Sequence, residues 1–560
     1  MKNWRSCCCL VLLIVAVLVT VGTVLFLVWK PRCGGENFYT HAAVAADSVN
    51  CSEIGRNILE QGGSAVDGAI AALLCSSLIN PQSMGIGGGA IFTIYSASKG
   101  RVTVINAREV IPQNLKPSSF PKCVSYLESG PSTQWIGVPG ELRGYWEVHK
   151  KFGKLPWKSL FEPSIQLAKS GFQLPVALKG FLLHPKLRPK IINSSLGSLF
   201  YTSAGHPHEI VQYPQLAETL RVIADQGVDA FYNGNITNIL IEDVQKDKHY
   251  SGSTFTLEDF KQYKASVMEP LNISLGDYVM YSPPQPTWGA ILSLILNILK
   301  GFNFTPKSME RRQRAQTYHR IIEALKFTNG QLSRLKDPKV HSKVMSELLS
   351  DQFAELIRRQ IDDQVHPPHY YNTVQEIEKY GTSHVSVIDK DGNAVSVTSS
   401  INHIFGSMII SPRTGIILNN QLADFCQSVG SRPDIKAGQQ PPSYMSPSIL
   451  ISQDKKSIML VGGAGGKMII SAIAQIIMNK LWFGLSMEDA IEKRRVHVTS
   501  SNSVQFEKDF DEAVKKTLQQ KGHNTTDPSP LPSVVQGIFK DHDCIEAVSD
   551  YRKYGKSAGY

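Results

Sequence analysis

The 560-residue sequence has no CxxC pair, no cysteine/histidine set at zinc spacing and no long lysine/arginine block. The first two absences argue against a zinc site. The third argues against a nucleic-acid partner. The net charge of +10 is dispersed, its densest basic stretch is Arg311, Arg312 and Arg314 beside a helix-like segment, and no RNP-type aromatic pattern accompanies it. Low-complexity linkers and internal repeats are absent between about residues 38 and 560. Charged residues make up 19% against 42% apolar, a globular balance that excludes global disorder. A chain this long can build one large domain or two to three smaller ones.

The amino terminus breaks this even texture. Residues 10–29 read LVLLIVAVLVTVGTVLFLVW, twenty in a row without a charge, enough to cross a hydrocarbon layer of roughly 30 Å. The run is longer than the apolar region of a cleaved signal peptide and ends in Trp29-Lys30-Pro31-Arg32, so an uncleaved signal anchor is expected, with residues 1–9 as a cytoplasmic tail. Lys2 and Arg5 before it and Lys30 and Arg32 after it leave too small a positive-inside bias to orient the chain. Six glycan acceptor patterns follow the run, at Asn50, Asn193, Asn235, Asn272, Asn303 and Asn524. They lead to the expectation of a single-pass type II plasma-membrane protein with an extracellular body. Cys7, Cys8 and Cys9 abut the run, where palmitoylation and an unmodified cluster are equally compatible. Cys33, Cys51, Cys75, Cys123, Cys426 and Cys544 fall in the expected oxidising compartment, where disulfides persist.

Residues 52–61 read as a helix stopped at Gly62-Gly63. Ser64, with Asp67 three residues on, caps a second helix apolar enough to be buried. Cys51 and Cys75 then lie near the outer ends of the pair, an arrangement that admits a bridge. Residues 90–95 and 102–106 alternate like strands. Much of 141–330 reads as helices, with a clear one at 316–327. Residues 362–380, with His366-Pro-Pro-His369 and Tyr370-Tyr371, read as an exposed loop, and its two histidines as loop residues in preference to metal ligands. Residues 384–388 and 394–401 flank Asp391-Gly392, a hairpin signal. A strand pair at 449–451 and 458–461 and helices at 468–482 and 487–493 complete a layered α/β or α+β sandwich.

Thr382 opens a strand straight after Gly381 and a polar loop. Taken alone, a Gly-Thr pair carries little. Its appeal is mechanistic: a cut before Thr382 would place a free α-amine, of pKa about 7.7 to 8.0, beside the hydroxyl as its general base. Val461-Gly-Gly-Ala-Gly-Gly-Lys467 lies between a strand and a helix. Its glycines miss the GxGxxG spacing, which weakens a dinucleotide-binding oxidoreductase. Helix N-terminal amides that suit an oxyanion, or a plain tight turn, remain. Arg108, after a strand and among apolar residues, needs an anionic partner, either an internal acid such as Glu109 or a substrate carboxylate.

Taken together and in order, Gly381-Thr-Ser-His-Val-Ser, Thr398-Ser-Ser-Ile-Asn402, Gly415-Ile-Ile-Leu-Asn-Asn-Gln-Leu-Ala-Asp424, Pro442-Ser-Tyr-Met-Ser-Pro447 and Gly463-Ala-Gly-Gly466 closely resemble the γ-glutamyltransferase (glutathione hydrolase) family. So do Ser83-Met-Gly-Ile-Gly-Gly-Gly89, Ile105-Asn-Ala-Arg-Glu-Val110, Val138-Pro-Gly-Glu-Leu-Arg-Gly144 and the ending Ala558-Gly-Tyr560. The resemblance covers nearly everything after about residue 39. Ser411-Pro-Arg-Thr-Gly-Ile-Ile-Leu418, Lys480-Leu-Trp482 and Ala547-Val-Ser-Asp-Tyr-Arg-Lys553 are most similar to its γ-glutamyl leukotrienase branch.

The resemblance implies an α+β fold, an αββα sandwich of the N-terminal-nucleophile type. It implies self-cleavage into a large subunit, residues 30–381, and a small one, 382–560, that stay together as a heterodimer. Thr382 is the implied nucleophile, and the amides of Gly465 and Gly466 the implied oxyanion hole. Arg108, Ser443 and Tyr444 match the positions that hold a substrate α-carboxylate, and Asn402, Gln421 and Asp424 those that hold its α-ammonium. Ser400 matches a second threonine near the nucleophile and keeps the hydroxyl. The pair matching Cys51 and Cys75 is bridged in the family. The implied donors are glutathione and glutathione conjugates such as cysteinyl leukotrienes, the acceptors water, amino acids or dipeptides, with no metal or organic cofactor. Two departures stand out. Animal members usually carry Glu where this chain has Gln421, which removes a charge, and the family has a second serine where this chain has Tyr444, which moves the hydroxyl by a ring. They define the rival reading, a cell-surface interaction protein that kept the fold and lost turnover.

Overall fold

The Ser64 hydroxyl accepts from the Asp67 amide at 3.2 Å, and an Asp67 carboxylate oxygen accepts from the Ser64 amide at 2.9 Å. This reciprocal cap starts helix α2 (Ala65–Ile79), every residue of which is buried, directly after α1 (Val49–Glu60). The computed structural model describes residues 33–115, 120–125, 128–250, 255–335, 341–373, 381–426, 428–433, 435–529 and 531–560.

Alternating and β-branched segments form two seven-stranded antiparallel sheets. In chain order their strands are β1 (Phe38–Tyr39), β2 (Ala43–Ala45), β3 (Gly89–Ser96), β4 (Arg101–Ala107), β5 (Ser266–Met268), β6 (Leu271–Leu275), β7 (Tyr278–Ser282), β8 (Ser383–Ile388), β9 (Ala394–Ser400), β10 (Ser448–Ser452), β11 (Ser457–Ala464), β12 (Val534–Asp541), β13 (Cys544–Val548) and β14 (Ala558–Gly559). One sheet runs β1-β13-β12-β11-β10-β7-β6, the other β14-β2-β8-β9-β3-β4-β5. Their facing sides share a dry core that includes Ile388, Ile449, Leu460, Ile538 and Ile545. Helices α2 and α3 (Glu141–Phe152) cover the second sheet, with α4 (Trp157–Ser170) packed on α2. Helices α5 (Gly289–Lys300) and α7 (Met468–Leu481) cover the first, with α6 (Arg314–Asn329) packed on α5 and α8 (Glu512–Gln520) on α6. The result is the αββα sandwich, an α+β fold. Each sheet takes strands from both sides of the 381–382 junction, so two halves cut there would stay interleaved.

Several expectations change. Residues 266–282, inside the stretch read as helical, form three short strands. The supposed exposed loop contains a 3-10 turn, Pro368–Tyr371, whose Tyr371 is buried. The plasma-membrane placement is also corrected: among the described residues no helix is long and apolar enough to cross a membrane. The run at 10–29, the tail 1–9 and Cys7, Cys8 and Cys9 lie outside the described residues, and the single-pass assignment is not carried forward. Three disulfides are formed, Cys33–Cys544, Cys51–Cys75 and Cys123–Cys426. All six acceptor asparagines are exposed.

Candidate active site

The β8–β9 hairpin pairs Ser383 with Ser399, which sets the residues just outside it, Thr382 and Ser400, side by side. Gly381 has φ +122°, and a Cβ there would lie 2.1 Å from the Asn402 carbonyl oxygen, so only glycine fits. Its carbonyl oxygen accepts from the Ser400 hydroxyl at 2.8 Å and from the hydroxyl of Thr382 itself. Two hydroxyls thus converge on the peptide group that precedes Thr382.

On the other side of Thr382 lies Lys553, which sequence reasoning missed. Its ammonium donates to the Thr382 carbonyl at 3.0 Å and to the Ser383 hydroxyl at 3.1 Å, and pairs with buried Asp47. Asp47 in turn accepts from Gln536 at 2.6 Å. These partners come from opposite ends of the chain, so no local pattern announces them.

Arg108 is 1% exposed. It donates to Asp424 at 2.6 Å and to the carbonyls of Pro441 and Pro442 at 3.2 Å, and lies 3.5 Å from Glu109. Burial pushes the Glu109 carboxyl up to about 7, against the opposing pull of the Arg108 guanidinium. Asn402, at φ +75°, donates from its side chain to Asn420 O at 3.1 Å. Gln421 donates to Ser400 O at 3.4 Å, and its carbonyl oxygen is buried with no hydrogen-bond partner among the described residues. The Ser443 hydroxyl accepts from the Met445 amide at 3.2 Å. The Tyr444 ring is buried and packs edge-on against Trp288, centroids 6.3 Å apart.

Strand β11 ends at Ala464, and Gly465 (φ +120°) and Gly466 (φ +59°) turn the chain into α7. A Cβ on Gly465 would press on the Ser533 backbone at 2.9 Å. The turn sets helix N-terminal amides beside the hydroxyl cluster, where an anionic oxygen is favoured. Thr382, Ser400, Asn402, Gln421, Asp424, Arg108, Ser443, Tyr444 and Gly466 all line one small cavity of ≈ 20 Å³. Of the expected site residues only Gly465 stands off its lining. A roomier cavity of ≈ 420 Å³ lies elsewhere, near Arg495, Phe506 and Tyr554. We assign the chemistry to the smaller one, because it alone of the two joins a hydroxyl, a buried cation–carboxylate pair and a glycine turn at a helix start.

Two further buried groups flank this site. His384 is held near pKa 3 by burial, which leaves it neutral between the Thr398 and Ser386 hydroxyls at 2.8 and 3.0 Å. Glu141 is raised to about 8 by burial, while the Tyr145 and Ser399 hydroxyls at 2.6 and 2.9 Å oppose the shift. A metal, if any, would find His319, Glu323 and His523 grouped within 4.8 Å. The Lys326 ammonium already sits 3.0 Å from Glu323 and 3.1 Å from His523, and the two imidazoles face each other at 2.9 Å. The set is self-satisfied and does not resemble an open ligand shell. His366 bonds to Asp362 and stacks on Tyr370.

Comparison with known proteins places the chain among relatives of one family. Residues 51–560 match the family described as Gamma-glutamyltranspeptidase. A human protein named Glutathione hydrolase 5 proenzyme is 46% identical over 556 residues, covering 94% of each chain. Its mouse counterpart is 45% identical over 573 residues and 99% of each chain. Among solved structures, cephalosporin acylase from Bacillus halodurans superposes with a TM-score of 0.82 at 25% identity, over 95% of this chain and 98% of that one.

Proposed function

The chain belongs to the gamma-glutamyltranspeptidase family, and on that premise we propose that it hydrolyses and transfers the γ-glutamyl group of glutathione and its conjugates through Thr382. The observation that carries this reading is the convergence of the Thr382 and Ser400 hydroxyls on the Gly381 carbonyl, in a cavity that also holds Arg108 and Asp424.

Self-cleavage comes first. The Thr382 oxygen adds to the Gly381 carbonyl carbon while Ser400 donates to the carbonyl oxygen. The C–N bond breaks, leaving an ester between Gly381 and the threonine oxygen and a free α-amine on Thr382. Water hydrolyses the ester, giving a Gly381 carboxylate and restoring the hydroxyl. The α-amine now serves as general base.

Turnover reuses the hydroxyl. Arg108 and Ser443 hold the donor α-carboxylate, and Asn402, Asp424 and the unpartnered oxygen of Gln421 receive the α-ammonium. The hydroxyl attacks the γ-carbonyl, its proton passes to the α-amine, and the amides of Gly465 and Gly466 receive the oxyanion. The protonated amine product leaves, and water, an amino acid or a dipeptide releases the γ-glutamyl group. The six exposed sequon asparagines are proposed glycan acceptors. The rival reading, an inert interaction protein, rests on the Gln421 and Tyr444 departures alone and is not favoured. A chromogenic γ-glutamyl anilide, with glutathione and a bulky S-conjugate alongside, tests the proposal: release of the free aniline by matured protein supports it, and no release refutes it.

A further inference from the structure

Gln421 and Asp424 sit on a short 3-10 turn, Gln421–Phe425, and the next strand does not begin until Ser448. The stretch between carries Ser443 and the two proline carbonyls that grip Arg108. Among the described residues it has no helix or strand ladder, and its far end is held by backbone bonds between Gln439, Gly438 and Ile111 and between Ser443, Pro286 and Trp288. A long irregular segment of this kind fixes side chains only where something else pins it.

At the near end, beside Gln421 and Asp424, the covalent pin is the Cys123–Cys426 disulfide. Cys426 lies two residues after Asp424, and Cys123 comes from a segment before the 381–382 junction. Around the bridge the two segments exchange backbone bonds: the Cys123 amide donates to Ser431 O and the Gly430 amide to Cys123 O, both at 2.8 Å. Leu422 N donates to Trp135 O at 3.0 Å. Both sulfurs are buried, in a separate apolar cluster with Phe120, Trp135, Leu422 and Phe425. The cluster is too small to order the segment by itself, whereas a covalent tie removes the alternatives open to it.

We infer that the Cys123–Cys426 bridge is a positioning element of the donor site, holding Gln421 and Asp424 in register with Arg108. It also ties the two halves of the cut protein together covalently, with Cys33–Cys544 as a second tie. The inference rests on the function proposed above. Cys33–Cys544 provides the internal control. It spans the same junction, but at the end of strand β13, whose neighbours carry no donor-site side chain.

Three measurements test it. On a denaturing gel, matured protein runs as one species without reductant and as two with it. Separation without reductant overturns the covalent tie. Removing the bridge as Cys123→Ala/Cys426→Ala raises KM for the γ-glutamyl anilide roughly tenfold or more, the scale of one weakened contact to a charged group. The turnover number stays within about twofold and self-cleavage proceeds. Cys33→Ala/Cys544→Ala leaves KM unchanged. Equal KM shifts for both pairs, or none for either, overturn the positioning role. If the first pair does not accumulate, native enzyme reduced stepwise with dithiothreitol and mapped by thiol labelling gives the same answer: KM rises as the Cys123 and Cys426 thiols appear, or the inference fails. Wild-type protein with no anilide turnover would instead refute the proposed function.

Discussion

The Arg108 guanidinium lies 2.6 Å from Asp424, 316 residues away, with both side chains buried at the proposed donor cavity. In this state the two groups proposed to hold opposite charges of the donor pair with each other. Donor binding as proposed would exchange that ion pair for two. Arg108→Lys keeps the charge but loses the planar fork. It is expected to lower kcat/KM on γ-glutamyl donors by about ten- to a hundredfold, one or two weakened contacts to a charged group. Self-cleavage should persist, and its loss would mark the arginine as structural.

Ser400 bonds to the Gly381 carbonyl at 2.8 Å. Ser400→Ala removes one of two donors to the oxygen that must take up charge during self-cleavage. Cleavage of freshly purified precursor, followed on reducing gels, should slow by roughly tenfold or more, and Ser400→Thr should restore it. An unchanged rate in the alanine variant removes Ser400 from the mechanism.

Tyr444, which the resemblance places at the donor α-carboxylate, also packs its ring into the core against Trp288. Tyr444→Ser would leave a cavity and cost about 3 to 5 kcal/mol of stability, the range of large aromatic truncations. Tyr444→Phe keeps the ring and isolates the hydroxyl. Thermal unfolding should separate the two variants sharply, with the phenylalanine form close to wild type. A serine variant as stable as wild type would contradict the packing argument.

Much of the scaffold was legible in the sequence because its signals are local. The β8–β9 hairpin follows from alternation around Asp391-Gly392, and the α2 cap from Ser64 and Asp67. What escaped depends on groups far apart in sequence. Asp424 as the partner of Arg108, Lys553 beside Thr382, and the partners of Cys123 and Cys33 are products of sheet order, which no local period encodes. Tyr371 was read as exposed because prolines surround it, yet its hydroxyl bonds to Glu323 at 2.6 Å inside the core. The site residues came from the ordered motifs and the resemblance they carry, not from composition, and the structure gathers all but one of them around one cavity. The strands at 266–282 are short, and their pattern was lost inside a region dominated by helices.

Two buried acids set a pH dependence. Glu109 is raised to about 7 and Glu141 to about 8 by burial. An acid with a raised folded pKa holds its proton in the folded state where the unfolded chain has lost it. Stability therefore falls as pH rises from the ordinary carboxylate range, about 4.3, towards these values. Unfolding temperatures should decline between roughly pH 5 and 8 from this contribution, and Glu141→Gln should flatten the slope. A slope unchanged in that variant contradicts the assignment.

Everything above turns on Thr382 becoming an amino-terminal nucleophile, and amino-terminal sequencing of matured, active protein, beside Thr382→Ala, decides it. The wild type should yield a small chain beginning Thr-Ser-His-Val, and the variant a single inactive chain. Active protein that remains uncut at 381–382, or a variant that still turns over γ-glutamyl anilide, would contradict it.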